Sequence, residues 1–366
     1  MNPMGNQEQI DALMRRGLAE GVFPGAVLLV SRAGSRQFMA AYGCANRYTG
    51  RPVTLDTVFD LASLTKPLAT TLAVMHLIEK GRLSLDQPVG EILPEFPRPD
   101  EARSGGGRAK IRIDHLLAHV SGLPDYRPFY KELRLWPLAE RRRKLLFCLR
   151  RLPLLSVPGE KPLYSDLGFM LLSLAIEKLA GCRLDRYVQT QIYEKLGLRD
   201  LFFIDTRQPP PDRAYAATED CPWRRRLIEG AVHDENAYVL GGVCGHAGLF
   251  GTAQAVDVLL QGLLQCLAGD KHWFPRSILA HFLSPYARSG RALGFDMPSA
   301  RGSSAGQRMD RYRTFGHLGF TGTSFWMETT RAISIVLLTN RVHPDRRNER
   351  IKAFRPQLHD CVMSGF

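Results

Sequence analysis

Strand-like segments cluster at the two ends of this 366-residue chain, and that placement restricts the available folds more than any other feature. Gly25 to Ser31 (G-A-V-L-L-V-S) and Arg36 to Tyr42 flank a turn at Ala33-Gly34-Ser35 and read as a hairpin. Far along the chain, Thr314 to His317, Ser324 to Thr329 and Ala332 to Thr339 read as three more strands, the last two joined by a tight turn at Thr330-Arg331. The ends therefore supply one antiparallel sheet of five strands. Helical spacing precedes it at Gln7 to Glu20 and follows it from about Arg347. Between them lies a helix-rich stretch, Lys66 to Phe282, broken at Arg98 to Lys110 and Thr206 to Arg226 by polar or Pro/Gly-rich segments. Strands outside and helices inside predict an α+β chain rather than alternating βαβ units. The expected organisation is an α/β sheet region from residues 1–66 and 283–366, a mostly helical inserted lobe over 67–282, and an active site at their junction.

Hydrophobic residues make up 45% of the chain, enough for a large core. The net charge of +13 favours anions, but the arginines sit in short runs (Arg141 to Lys144, Arg150-Arg151, Arg224 to Arg226, Arg346-Arg347) that read as solvated helix faces or loops. Aromatic and basic residues do not interleave as in a nucleic-acid module, so neither nucleic acid nor a membrane is expected as a partner. Met1 to Glu8 shows neither a basic nor an apolar leader region, and the expectation is a cytoplasmic chain. The seven scattered cysteines read as free buried thiols of a reducing compartment, without metal-ligand spacing.

The segment Phe59-Asp-Leu-Ala-Ser63-Leu-Thr-Lys66-Pro67 opens an apolar helix running through Leu68, Leu72, Met75 and Ile78 towards Gly81. Proline is tolerated only near a helix start, which puts Ser63 at the N-terminus, where free N–H groups favour a developing oxyanion. Ser63 and Lys66 then share one face, close enough for proton exchange. An isolated S-x-x-K is common by chance and needs companions. A second element, Pro158-Gly-Glu-Lys-Pro-Leu-Tyr164-Ser165-Asp166, delivers Tyr164 to the mouth of another apolar helix, where it reads either as a general base or as a buried tyrosine bonded to a carbonyl. A third, Gly316-His317-Leu318-Gly319-Phe320-Thr321-Gly322-Thr323, places a glycine where a ligand approaches a strand edge, so that the N–H of Phe320 could pair with that of Ser63 as an oxyanion hole.

In order and spacing these elements resemble the S-x-x-K, Y-x-N and K-T-G or H-x-G motifs of the serine β-lactamase and penicillin-binding-protein superfamily, in its class C β-lactamase, D,D-peptidase and esterase branch. Pro24-Gly-Ala-Val-Leu, Ile113-Asp-His-Leu-Leu-Ala-His-Val-Ser-Gly-Leu-Pro124 and Gly245-His-Ala-Gly-Leu-Phe-Gly-Thr252 extend the resemblance over about Phe23 to Pro344. Thr252 is a candidate helix N-cap. The resemblance implies a β-lactamase/transpeptidase-like fold and an acyl-enzyme on Ser63, with proton transfer shared by Lys66 and Tyr164 and His317 in the place of the third-motif lysine. It implies no metal or organic cofactor. The expected function is a serine hydrolase acting on a small ester, β-lactam or short peptide, esterase or β-lactamase-like first and D-amino-acid or muropeptide peptidase as the alternative. A catalytically idle binding protein that kept the fold is the non-enzyme alternative, and the complete Ser63, Lys66 and Tyr164 set argues against it.

Two departures bear on substrate and mechanism. His317 is not a permanent cation, and at neutral pH it reads as a hydrogen-bond donor rather than a carboxylate anchor. Asp166 stands where the family has asparagine; it reads either as an ion-pair partner that keeps Lys66 charged or as an N-cap. Three further features stay open. His233-Asp234-Glu235 could hold a cation or form a hydrogen-bonded loop beside the cleft. Trp223 could line the pocket. The basic amphipathic stretch Leu133 to Leu155 reads as a packed helix between Pro137 and Pro153, with a membrane-facing helix or an acyl lid as the alternative.

Overall fold

The computed structural model describes residues 3–270, 273–287 and 289–366. The five expected strands are adjacent in one antiparallel sheet: β1 (Gly25–Arg32), β2 (Ser35–Asn46), β9 (Thr314–Leu318), β10 (Ser324–Glu328) and β11 (Ile333–Thr339). A two-residue strand, β3 (Arg51–Pro52), adds a sixth at the edge beyond β2, giving the order β3-β2-β1-β11-β10-β9. So short a pairing carries no period-2 signal, and its proline suits an edge. The two ends of the chain meet at the sheet's centre, where β1 pairs with β11 from Ala26 opposite Thr339 to Arg32 opposite Ile333.

Strand β1 is apolar from Gly25 to Val30 because both of its faces are covered there. Ala26, Leu28 and Val30 pack with Ile10, Met14, Phe354 and Leu358 of the terminal helices Pro3–Ala19 and Ile351–Met363. Val27 and Leu29 join the larger core, which includes Leu259, Leu260 and Leu263 of the helix Ala253–Ala268. That helix starts at Thr252, whose hydroxyl accepts from the N–H of Ala255 (3.2 Å) as an N-cap. It is pinned to the sheet by Asp257, which accepts from the hydroxyls of Ser31 (2.7 Å) and Ser334, a pair facing each other across β1 and β11.

A second sheet, absent from the sequence reading, sets up the nucleophile. Its strands are β4 (Phe59–Asp60), β5 (Leu201–Phe203) and β8 (Leu249–Gly251), in the order β4-β8-β5. Two-residue strands β6 (Asp220–Cys221) and β7 (Arg226–Leu227) form a ribbon. After β4 the backbone does not run straight into an α-helix. Ala62 takes φ +48°, Ala62–Leu64 make one 3₁₀ turn, Lys66–Thr71 a wider π-type turn, and only Leu72–Glu79 is α-helical. Pro67 offers no N–H and crowds the carbonyl four residues back, so no α-helical bond can join it to Ser63 and the helix cannot extend back through the Ser63 turn. Wide turns of this kind often mark functional sites.

The basic stretch is a helix at Leu138–Arg151, burying Leu145, Cys148 and Leu149. Its arginines are not all solvated: Arg142 forks onto Glu177 (2.7 and 3.1 Å) and Arg141 donates to the carbonyl of Val239 (2.6 Å). All seven cysteines are free, four of them buried and Cys44, Cys182 and Cys361 partly so. Among the described residues, no helix is long and apolar enough to cross a membrane.

Removing the Asp257 carboxylate leaves the Ser31 and Ser334 hydroxyls buried without their acceptor, a loss on the order of 2 kcal/mol. Asp257→Ala is therefore expected to lower the urea midpoint while leaving Ser63 reactive towards an acylating probe below the transition. An unchanged midpoint would exclude the pin.

Candidate active site

Lys66 is fully buried and hydrogen-bonded through Nζ to Ser63 Oγ (2.9 Å), Asp166 Oδ1 (2.7 Å) and the carbonyl of His246 (3.2 Å). Three acceptors match the three N–H bonds of an ammonium. Burial disfavours the charge, but Asp166 and Tyr164 outweigh it and hold the lysine pKa above its ordinary value. In its charged form Lys66 donates to Ser63. Asp166 opens the helix Asp166–Ala180 but does not cap it. Ser165 is the cap, its Oγ accepting from the N–H of Gly168 (3.2 Å), which leaves the Asp166 carboxylate for Lys66.

Tyr164 lies beside the ammonium, with Lys66 Nζ 4.8 Å from its ring centre. His119, passed over in the sequence, fixes it from both sides: its carbonyl accepts from the N–H of Leu163 (2.9 Å) and its ring Nδ1 from the N–H of Ser165 (3.0 Å). The His119 ring also lies 4.5 Å from that of Tyr164, centre to centre. A second residue passed over is Arg291, whose guanidinium carbon is 5.3 Å from the Tyr164 ring centre and which pairs with Asp296. Arg291 comes from a loop with no motif signal, and His119 lies in the Ile113 to Pro124 stretch without a role of its own there. Their proximity to Tyr164 arises only in the folded chain.

The third motif is tied to the nucleophile turn through side chains. Thr321 Oγ1 donates to the carbonyl of Asp60 (2.7 Å) and Thr323 Oγ1 to that of Leu61 (3.1 Å). A Cβ on Gly319 would fall 2.0 Å from Thr323 Oγ1 and 2.8 Å from the Leu61 carbonyl. The glycine is thus required by the close approach of β9 to the Ser63 turn. His317 is buried, and burial together with Lys66 pushes its pKa well below the ordinary value. Its Nδ1 lies 2.9 Å from the carbonyl of Leu318, which can only accept, so Nδ1 carries the proton and Nε2 is left as an acceptor. The donor role expected from sequence is thus directed at the Leu318 carbonyl. Phe320, half exposed, stacks on the His233 ring (5.6 Å between centres).

Ser63, Tyr164, Asp166, His317, Gly319 and Phe320 line one cleft of about 650 Å³, together with Asp234, His246 and Arg291. Trp223 does not line it but packs against Tyr130 and Tyr238. The side chains of His233, Asp234 and Glu235 take three separate partners, Glu219 (3.2 Å), His246 (2.9 Å) and Arg346 (2.6 Å), so they do not converge on a cation.

With this geometry, the profile of the Beta-lactamase family matches residues 10–357. The chain belongs to that family. Its members are serine hydrolases, and so is this chain. A Bacillus subtilis (strain 168) protein named N-acetylmuramyl-L-alanine amidase is 34% identical over 362 residues, covering 92% of this chain and 81% of its own length. Among solved structures, EstCE1, a hydrolase with promiscuous acyltransferase activity, superposes with a TM-score of 0.78 at 24% identity over 99% of both chains. A class C beta lactamase gives 0.75 at 18% identity over 98% of this chain and 99% of its own. These two share the fold, the β-lactamase/transpeptidase-like α+β architecture.

Two substitutions probe the site. In Asp166→Asn the buried Lys66 loses its counter-charge while burial still disfavours the ammonium, so its pKa falls. The alkaline limb of the kcat/KM profile should move to lower pH, and an unmoved limb would separate Asp166 from the charge of Lys66. The raised folded pKa also means the pair contributes stability that is complete below the ordinary lysine pKa and fades as pH rises through the folded value. The variant should therefore lose more stability at neutral than at strongly alkaline pH. In Gly319→Ala the added methyl separates β9 from the Ser63 turn. We expect a fall in acylation rate of about 10²-fold or more, with wild-type acylation ruling out the close-approach role.

Proposed function

We propose that this hydrolase cleaves a small amide or ester through an acyl-enzyme on Ser63, with amides of muropeptide type as the leading substrates. The observation that carries the mechanism is the threefold engagement of the Lys66 ammonium, which cannot accept a further proton. Tyr164, flanked by the cations Lys66 and Arg291, is then the base. Ser63 Oγ attacks the carbonyl and passes its proton to Tyr164. The N–H groups of Ser63 and Phe320 receive the oxyanion. As the intermediate collapses, Tyr164 returns the proton to the leaving amine or alcohol, and water, deprotonated by Tyr164, releases the acid and restores Ser63.

The muropeptide reading is supported by the amidase named above, whose name specifies an amide between a muramyl acyl group and an amine. The neutral His317 weighs against a dedicated β-lactamase, which would dock its substrate's carboxylate on a fixed cation at that position. The aromatic mouth of the cleft, with Tyr126 and Phe320 partly exposed, favours a second reading as a broad carboxylesterase. We place the activity in the cytoplasm, on recycled fragments, in keeping with seven free cysteines. The site then lies where the sheet region (1–66, 283–366) meets the helical lobe (67–282).

Intact-mass analysis after incubation with p-nitrophenyl esters, a cephalosporin, a muramyl-L-alanyl peptide and a D-Ala-D-Ala peptide tests this. An adduct absent from Ser63→Ala is expected, with Tyr164→Phe slowing turnover by on the order of 10²–10⁴-fold. A mass shift that persists in Ser63→Ala would overturn the nucleophile. Faster turnover of esters than of the muramyl amide would favour the esterase reading.

A further inference from the structure

The motif residues account for the reacting groups but not for what holds them in register. The segment His233-Asp234-Glu235 touches two of the three elements that carry them, the Ser63 turn and the third motif, and grips the 245–247 loop that lies against the helix of the other. The N–H of His233 donates to Asp60 Oδ2 (2.6 Å), while Asp60 Oδ1 accepts from the N–H of Ala62 (2.9 Å), so one buried carboxylate fastens this segment to the strained turn that presents Ser63. The His233 ring stacks on Phe320 of the third motif. Asp234 Oδ1 accepts from the His246 ring (2.9 Å) and caps the helix Glu235–Val239 through the N–H of Ala237 (2.7 Å). The residue it grips, His246, is the one whose carbonyl is the third acceptor of Lys66. The neighbouring carbonyl of Gly245 accepts from Thr70 Oγ1 (2.7 Å), four residues after Lys66. At Gly245 itself the loop lies flush on the Asp166–Ala180 helix, where a Cβ would fall 2.2 Å from the carbonyl of Phe169.

We propose that Asp234 and His246 are positioning residues for Lys66: their ion pair holds the His246 carbonyl where it fixes the ammonium between Ser63 and Asp166, and the rest of the segment fixes the Ser63 turn and Phe320 to the same frame. This rests on the roles given to Ser63 and Lys66 above. The pair is charged, Asp234 outweighing the burial that would otherwise discharge His246. An ionic grip resists rotation of the 245–247 loop better than a neutral hydrogen bond.

The groups facing Lys66 are Ser63, Tyr164, Asp166 and the His246 carbonyl, with the rings of His119 and His317 beyond, both neutral through burial. The groups around the pair are Asp60, His233, Cys244 and Arg224, the last donating to the carbonyls of Val232 and His233. Loosening the carbonyl removes one of three acceptors from a buried ammonium, so the pKa of Lys66 falls.

The test compares wild type, Asp234→Asn, Asp234→Ala and His246→Gln by circular dichroism, by the rate of Ser63 labelling with a fluorophosphonate, and by the pH profile of p-nitrophenyl acetate turnover. Asp234→Ala and His246→Gln should lower kcat by on the order of 10- to 100-fold with KM within about twofold, and move the alkaline limb to lower pH. Asp234→Asn, which keeps the cap and a neutral acceptor but not the charge, should fall between Asp234→Ala and wild type in kcat. A folded Asp234→Ala or His246→Gln with wild-type kcat and an unmoved alkaline limb overturns the proposal. So does a loss confined to thermal stability. If Asp234→Ala does not fold, His246→Gln alone decides. Failure of wild-type Ser63 to take the probe would instead overturn the nucleophile assignment, which separates the two ideas.

Discussion

A lysine ammonium with no exposed surface is the constraint around which the rest of this molecule is arranged. Removing such an ion from water costs several kcal/mol unless charge and hydrogen bonds replace the lost hydration. Here the replacement comes from three separate parts of the chain: the Ser63 turn, the start of the Asp166–Ala180 helix and the 245–247 loop. Each must arrive in place for the others to be stable. The cap at Ser165, the flush contact at Gly245 and the bond from Thr70 are the local devices that bring them there.

The same economy governs the other charges of the cleft. Both imidazoles nearest Tyr164, His119 and His317, are driven neutral by burial and by the cations around them. The positive charge facing the tyrosine is supplied instead by Lys66 and by Arg291, a residue from the connection leading into β9. A family position that ordinarily carries a cation is thus filled by an acceptor, while a cation enters from elsewhere. That exchange shifts the preference of the cleft away from substrates docked by their carboxylate on the third motif.

The sheet contributes rigidity more than chemistry. Its central pairing joins the chain's two ends, and its edge strand β9 is fastened to the nucleophile turn by two threonine hydroxyls and a glycine that leaves no room for a side chain. The small β4-β8-β5 sheet holds the other side of that turn. Ser63 is therefore clamped between two sheets of different origin, which is how a residue in a positive-φ, irregular stretch acquires a fixed direction.

Apolar runs bounded by turn residues were enough to locate the five long strands, because burying both faces of β1 and β11 demands a nearly continuous apolar sequence. Pro67 and Gly319 likewise announced a helix start and a close approach, since each is dictated by backbone sterics that act over a few residues. The pairing of Asp166 with Lys66 was readable only as one of two alternatives. Ser165 decided it by taking the cap, a competition settled by local geometry after folding. The strand at Arg51–Pro52, the β4-β8-β5 sheet, the tautomer of His317, the grip of His119 and Arg291 on Tyr164 and the bond between Asp234 and His246 left no mark in the sequence. Each depends on which distant segments touch, and a hydrogen bond between residues far apart in the chain has no periodicity by which it could be recognised beforehand.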